Sequence, residues 1–434
     1  MNTLASPSTA HPDALAGPAA ALERLAQAVR PRSPSARERR AAAEIGRLLD
    51  ALSIGQLSLV RPDGTITRHG QSTTGAHEIV LAVHDWAVFG EIIARGDIGF
   101  GEAYIDGRWH SNDLTGLLTL LNRNRETIRG AIYGRWLPLL AERLRHAFNA
   151  NSRRGSRRNI MAHYDLGNDF YRAWLDETMS YSSALFESGA SSLADAQRAK
   201  YRRIVSELGI RPGERVLEIG CGWGGFAEIA ADEAGARVTG ITLSPAQLVF
   251  ARERMAGRGL AGRVDLELCD YRDVAARHAP FDHIVSIEMF EAVGEAWWPT
   301  YFETLARCLK PSGKALLQTI TLDDRLFADY RRGTDFIQRH VFPGGMLPSP
   351  GAFRAQAARA GLAIDNAFAF GFDYARTLAL WQQDFNARWE TIAAQGFDTR
   401  FRRLWNFYLS YCQAGFSTGS TDVVQYRLRH AGQP

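Results

Sequence analysis

The run Val216-Leu-Glu-Ile-Gly-Cys-Gly-Trp-Gly-Gly225 constrains the fold of this chain more than any other. Apolar Val216, Leu217 and Ile219 lead into a glycine-rich turn, with Glu218 among them. A segment with helical character, 226–231, follows. Strand, glycine turn and helix in that order present backbone N–H groups to a nucleotide-like ligand in a doubly wound α/β domain. Gly220, Gly222 and Gly225 are spaced G-x-G-x-x-G. Dinucleotide-binding domains and ordinary turns share that spacing, so the later strands must decide the ligand.

Those strands continue an α/β rhythm from about 159 to 321. The expected strands are Arg215–Ile219, Arg237–Thr242, Val264–Leu268, 283–287 and 314–319, with helical segments between them. Such alternation implies a mostly parallel sheet covered by helices on both faces. The aromatic-rich tail, 322–434, reads as a helical cap on that domain, which as a whole spans 159–434. Before it lie three other regions. Residues 1–43 are rich in Ala, Pro, Ser and Arg and read as a disordered or loosely helical tail. Residues 44–122 read as a small α+β domain: Gln56–Val60 alternates, Pro62-Asp-Gly64 signals a turn, 78–83 looks like a strand and 85–95 like a helix.

Residues 123–158 carry ten arginines against Glu126 and Glu142. Ile128, Ile132, Trp136, Leu140, Leu144 and Phe148 recur every fourth residue, with Pro138 expected to break the helix in two. A basic amphipathic helix of this kind suits an anionic membrane surface. It equally suits a linker helix packing its stripe on protein, and both readings stand. No apolar run approaches the roughly 20 residues needed to span a bilayer, and the start of the chain lacks signal-peptide order. Four cysteines without C-x-x-C spacing argue for a reducing cytoplasm rather than a disulfide framework or zinc site. The balance of 51 Lys+Arg against 47 Asp+Glu, +4 net, is too small to argue for nucleic acid.

An NAD site places an acid about 20 residues past the glycines. That position here reads Gly240-Ile-Thr-Leu-Ser-Pro245, with no acid but with Thr242 and, just beyond, Gln247. After the third strand comes Cys269-Asp-Tyr-Arg-Asp273. An acid there, Asp270, can accept from an exocyclic amine, and Tyr271 can stack on a purine. Asp270 can also simply cap a helix. These parts suit adenosine without a pyrophosphate, so S-adenosylmethionine fits better than NAD.

Seven motifs then occur in one order: His163-Tyr-Asp-Leu-Gly-Asn-Asp-Phe-Tyr171, Met179-Ser-Tyr-Ser-Ser183, the glycine loop, Thr242-Leu-Ser-Pro-Ala-Gln247, Glu288-Met-Phe-Glu-Ala-Val-Gly294, Phe342-Pro-Gly-Gly-Met-Leu-Pro348 and Tyr411-Cys-Gln-Ala-Gly-Phe416. Together, over roughly 85–430, the chain resembles the cyclopropane-fatty-acyl-phospholipid synthase family, which includes the mycolic acid cyclopropane synthases. The resemblance implies a Rossmann-like class I methyltransferase sheet with a helical cap. It implies S-adenosylmethionine held by Tyr181, Ser182, the loop from Glu218 through Gly220, Gly222 and Gly225, then Thr242, Leu243, Gln247, Tyr271 and Arg272, beside Asp270. It also implies the acceptor: unsaturated acyl chains of membrane phospholipids, reached by a cytoplasmic enzyme associated peripherally with the membrane. Oligomeric state, including a homodimer, is left open.

An isolated alkene takes the methyl group from a sulfonium, a cation develops in the chain, and a base must remove a proton. The cation calls for a dry channel, which Phe368, Phe370, Phe372, Tyr374, Trp381, Phe385, Trp405, Phe407 and Tyr408 would supply; a plain helical core explains most of them equally well. Family members are similar in using a bound bicarbonate as base, and its pocket maps onto Ser183, Glu291, Gln318, Ile320 and Tyr374. Two positions depart from the pattern: Ser183 replaces Cys, and Gln318 replaces His. A glutamine donates a hydrogen bond but carries no charge and shuttles no proton. The resemblance makes a cyclopropane ring the expected product, and the change at 318 gives a methyl- or methylene-branched chain as the alternative. Cys412 invites a nucleophile's role, although direct alkene attack needs none and a small buried residue serves as well. His163 and Asp169 either organise a segment closing over the cofactor or make structural hydrogen bonds. Two other functions share these features: a small-molecule methyltransferase, indifferent to vesicles, and a non-catalytic lipid-binding protein that has kept the fold.

Overall fold

The computed structural model describes residues 32–71, 78–132, 166–186, 192–278 and 280–432. The chain divides into two compact units, Met1–Gly134 and Arg135–Pro434.

In the first unit, helix α1 (Ala36–Asp50) starts inside the segment expected to be a tail. Its start is encoded by a capping box: Ser35 accepts from Glu38 N–H while the Glu38 side chain accepts from Ser35 N–H. Strands β1 (Gln56–Val60), β2 (Ile66–Gly70), β3 (Ile79–Val83) and β4 (Trp109–Ser111) form a sheet in the order β2-β1-β3-β4. Helix α2 (Ala87–Ile105) runs past the expected end at 95, and Gly96 interrupts it at φ +57°. Helices α3 (Leu114–Arg123) and α4 (Arg125–Ile132) follow. Of the basic stretch, 133–158 lies outside the described residues, as does His163.

The second unit opens with α5 (Asn168–Trp174) and α6 (Leu193–Leu208). Then come β5 (Arg215–Ile219), α7 (Gly225–Asp232), β6 (Arg237–Thr242), α8 (Pro245–Gly257), β7 (Val264–Leu268), β8 (Phe281–Ile287), α9 (Trp298–Cys308) and β9 (Leu309–Leu322). The tail expected to be a helical cap departs from that expectation. It supplies helices α10 (Gly371–Ala387) and α11 (Thr399–Thr418), but also strands β10 (Leu362–Ala369) and β11 (Thr421–His430). Both strands join the main sheet, in the order β10-β11-β9-β8-β5-β6-β7. The β5–β9 strands pair in parallel, while β11 runs antiparallel to β9 and β10. Composition hid β10 and β11, which lie in an aromatic-rich tail whose other segments are mostly helical.

Side chains alternate across this sheet. Leu217, Ile284 and Leu317 enter one core cluster, and their neighbours Val216, Val285 and Leu316 enter the other. Both faces are thus covered, as a parallel sheet requires. Strand order reverses at β5, flanked by β6 and β8. Ligands bind at the carboxyl ends of strands at such a switch point.

Candidate active site

A pocket opens at that point, lined by the ends of β5, β6, β7 and β8 and by 179–182. The glycine loop forms its floor. Gly220 sits at φ +84°, and a Cβ there would meet Met289 Cγ at 2.8 Å, so only glycine brings the backbone this close. Gly224, also left-handed, caps the start of α7. Glu218 lies under the loop, buried, with Oε2 making no hydrogen bond. Burial pushes its carboxyl well above the ordinary range. An unpaired buried carboxyl oxygen at a helix start calls for a cationic donor. Thr242, Leu243, Gln247 and Tyr271 complete the wall. Thr242 Oγ1 donates to Gln247 Oε1 at 3.1 Å, which fixes the amide. These groups fit S-adenosylmethionine: a backbone cradle, an acid for its ammonium and an apolar slot for its base.

Asp270 and Arg272 are placed differently from expectation. They do not line the pocket. Asp270 accepts from Arg272 N–H and holds its guanidinium at 2.5 Å, so it serves the short turn that presents Tyr271. Tyr181 and Ser182 do line the pocket. Tyr181 Oη pairs with Tyr408 Oη at 2.8 Å, and its ring lies 5.3 Å from Trp381. Most cap aromatics are buried against one another, but Phe372 is 74% exposed. Asp169 pairs at the surface with Arg172.

The five residues expected around bicarbonate separate into two groups. Ser183 N–H, Gln318 Nε2 and Tyr374 Oη all donate to the carboxylate of Glu288, at 2.9, 2.7 and 2.6 Å. Ile320 N–H and Thr319 Oγ1 donate instead to Glu291. The donors assigned to bicarbonate are therefore occupied by a carboxylate of the chain itself. A second anion beside Glu288 would meet a like charge, so the site does not fit bicarbonate.

Residue-by-residue reading passed over Glu288, although it opens the motif Glu288-Met-Phe-Glu. One signal is conformational. Met179 and Glu288 are the two non-glycine residues with positive φ among those described, at +52° and +49°, and both line the pocket. A left-handed glutamate stores strain that its surroundings must overcome. Its N–H donates to Gln318 O at 2.8 Å, and its carboxylate holds three donors. Burial raises its proton affinity, while the charge of Lys200 and the three donors oppose that. Glu291, close to it, is pushed up to about 8 by burial and by the Glu288 charge. The two carboxyls thus sit in different environments: Glu288 holds three donors beside the Lys200 charge, whereas Glu291 is pushed up by the charge of Glu288 itself.

Lys200 on α6 was also missed. It is fully buried and donates to Ser182 Oγ at 2.5 Å and Gln197 Oε1 at 2.6 Å. Burial lowers its pKa to about 8, and Glu288, Asp176 and Glu218 hold the charge in place. Cys412 takes no part in the Glu288 cluster, and burial pushes its thiol far above the ordinary range, so it is a neutral packing residue rather than a thiolate. All four cysteines are free. Among the described residues no cluster could hold a metal ion, and no helix is long and apolar enough to cross a membrane.

Residues 151–426 match the family model described as mycolic acid cyclopropane synthetase. A tuberculostearic acid methyltransferase of Mycobacterium tuberculosis is 40% identical over 387 residues, 87% of this chain and 88% of that protein. A cyclopropane-fatty-acyl-phospholipid synthase of Escherichia coli is 35% identical over 83% of this chain and 90% of its own. Among solved structures, a mycolic acid cyclopropane synthase complexed with SAH and CTAB superposes with a TM-score of 0.58 at 31% identity, covering 63% of this chain and 97% of that one.

Proposed function

This chain belongs to the mycolic acid cyclopropane synthetase family and is an S-adenosylmethionine-dependent methyltransferase; from that premise we propose that it methylates the double bond of an unsaturated phospholipid acyl chain, with Glu288 as the base. The observation that carries this is the convergence of Ser183 N–H, Gln318 Nε2 and Tyr374 Oη on the Glu288 carboxylate at the pocket wall. When bound, S-adenosylmethionine supplies an electrophilic methyl group. Glu218 meets its ammonium, the 220–225 loop carries its backbone contacts, and Tyr271 flanks its base. Tyr181, Trp381 and Tyr374 form the aromatic wall that keeps water from the cation on the acyl chain.

Glu288 then takes a proton from the new methyl: the C–H bond breaks, the O–H bond forms, and the electron pair neutralises the cation. If the cation still lies on the neighbouring carbon, a cyclopropane results. If a hydride shift has first moved it to the methyl-bearing carbon, a methylene branch on the open chain results. The branched product is supported by the similarity to the tuberculostearic acid methyltransferase. The synthase-like relative from Escherichia coli supports ring closure as the second reading.

The test is product analysis. The full chain is incubated with trideuteromethyl cofactor and vesicles of monounsaturated phospholipid, and the fatty esters are released. The expected ester has gained two deuterons on one carbon and shows them as a vinylidene =CD2 group by deuterium NMR. Cyclopropyl protons would select ring closure instead. No label in lipid would overturn both. Access to such chains requires reversible docking, for which the small domain 44–122 and the arginine-rich stretch 123–158 are the candidates. Replacing Arg153, Arg154, Arg157 and Arg158 with Ser is expected to weaken binding to anionic vesicles in low salt; unchanged binding removes that stretch from the account.

A further inference from the structure

Gln425 on β11 stands opposite Gln318 in the antiparallel pairing with β9. Directly opposed residues project from the same face of a sheet. Both side chains are almost wholly buried, at 2% and 1% exposure. Gln425 Nε2 donates to Gln318 Oε1 at 3.0 Å, and Gln318 Nε2 donates to Glu288 Oε1 at 2.7 Å. The result is a line of three groups: carboxylate, amide, amide. At its far end Gln425 Oε1 is buried and makes no hydrogen bond. A buried polar group left unpaired is costly, and the end of the line carries that cost in either orientation.

The orientation of each amide follows from the charge at the head. An ionised carboxylate only accepts, so Gln318 must turn its amino group to Glu288. Its oxygen then faces Gln425, which must donate, and the Gln425 oxygen is stranded. A proton on Glu288 Oε1 reverses every requirement. The new O–H donates to Gln318 Oε1, the Gln318 amino group turns to Gln425 Oε1, and the Gln425 amino group takes the place its oxygen held at the end of the line. A histidine or a carboxylate at 318 would change charge during such a reversal; an amide does not.

We propose that Gln425 and Gln318 form an amide relay whose two orientations follow the protonation of Glu288, with Gln425 as the positioning residue. The relay moves no proton. It gives Glu288 a matched partner both before and after it accepts one. This rests on Glu288 being the base. The titratable groups facing Glu288 are Tyr374 on α10, Lys200 on α6 and Glu291 beyond β8.

The test combines NMR and kinetics on the full chain with the cofactor bound. Glutamine side chains are labelled with nitrogen-15 and followed against pH. Gln318→Met and Gln425→Met assign the two signals. The amide signals of Gln318 and Gln425 are expected to shift together through one titration and to lie flat in Glu288→Gln. Gln425→Met is expected to lower kcat about tenfold, with cofactor affinity within twofold of the parent. If Gln318 titrates and Gln425 does not, or if Gln425→Met lowers only thermal stability, there is no relay. If neither signal titrates while Glu288→Gln is inactive, the relay fails and the base stands. If Glu288→Gln retains turnover, the base itself falls.

Discussion

At the cofactor end of the pocket, one short run of chain does most of the work: Glu218, the 220–225 loop and the start of α7 lie within ten residues. At the base end, Ser183, Glu288, Gln318, Tyr374 and Gln425 come from five separate segments. The first end presents backbone N–H groups in glycine conformations. The second holds a left-handed glutamate by side-chain donors that the sheet brings together. A cradle made of backbone suits any adenosyl sulfonium and so recurs across methyltransferases. A cluster made of long-range side chains is where one member of the family differs chemically from another.

That contrast predicts separable losses. The largest belongs to the base end. Glu288→Gln keeps size but turns one acceptor oxygen into an amino group and removes the proton acceptor, so kcat should fall by about a thousandfold, with cofactor affinity unchanged by calorimetry. A parallel loss of cofactor affinity would mean that the two ends are one unit. Next comes the cofactor end. Glu218→Ala removes the buried unpaired carboxyl, and a lost charge-assisted hydrogen bond of about 1.5–3 kcal/mol should weaken cofactor binding roughly ten- to hundredfold. Turnover at saturating cofactor should stay within a fewfold of the parent.

The smallest effect tests the link between the ends. Lys200 bonds Ser182 in the cofactor wall, while its charge favours the ionised form of Glu288. Glu288 works as a carboxylate, so activity rises as pH rises through its pKa. Removing the Lys200 charge raises that pKa and moves the acid limb to higher pH. Lys200→Met should therefore turn over several-fold more slowly than the parent in weakly acidic buffer, with its acid limb displaced to higher pH. The two proteins should converge above pH 8, where Lys200, titrating at about 8, no longer carries charge in the parent. A constant ratio at all pH values would show that Lys200 acts only through packing.

The same contrast explains what the sequence made legible. The glycine loop, Thr242 and Gln247 were found because their order along the chain is their order in space, and the missing acid after β6 spoke directly about the ligand. Five strands of the parallel sheet were legible for the same local reason, as apolar runs bounded by turns. β10 and β11 were not, because polar residues such as Asp365, Asn366, Arg427 and Arg429 interrupt their apolar pattern within an aromatic-rich tail. Glu288 and Glu291 sit three residues apart in one motif. Nothing local says which of them receives Ser183, Gln318 and Tyr374; the φ of +49° at Glu288, invisible in the sequence, aims its carboxylate at those donors. Asp270, by contrast, is spent on its own turn, the ordinary use of an aspartate before a helical segment.

The central claim is that the chain carries its own base. Its most direct measurement is turnover in carbonate-free buffer, with and without added bicarbonate, for the parent enzyme and for Glu288→Gly. Glycine accepts the left-handed backbone and leaves Ser183 N–H, Gln318 and Tyr374 around an open anion slot. The parent should turn over equally well in both buffers, and Glu288→Gly should be inactive without bicarbonate and partly restored by it. A parent that stops when bicarbonate is removed, or a Glu288→Gly enzyme that runs at the parent's rate without it, would contradict the account.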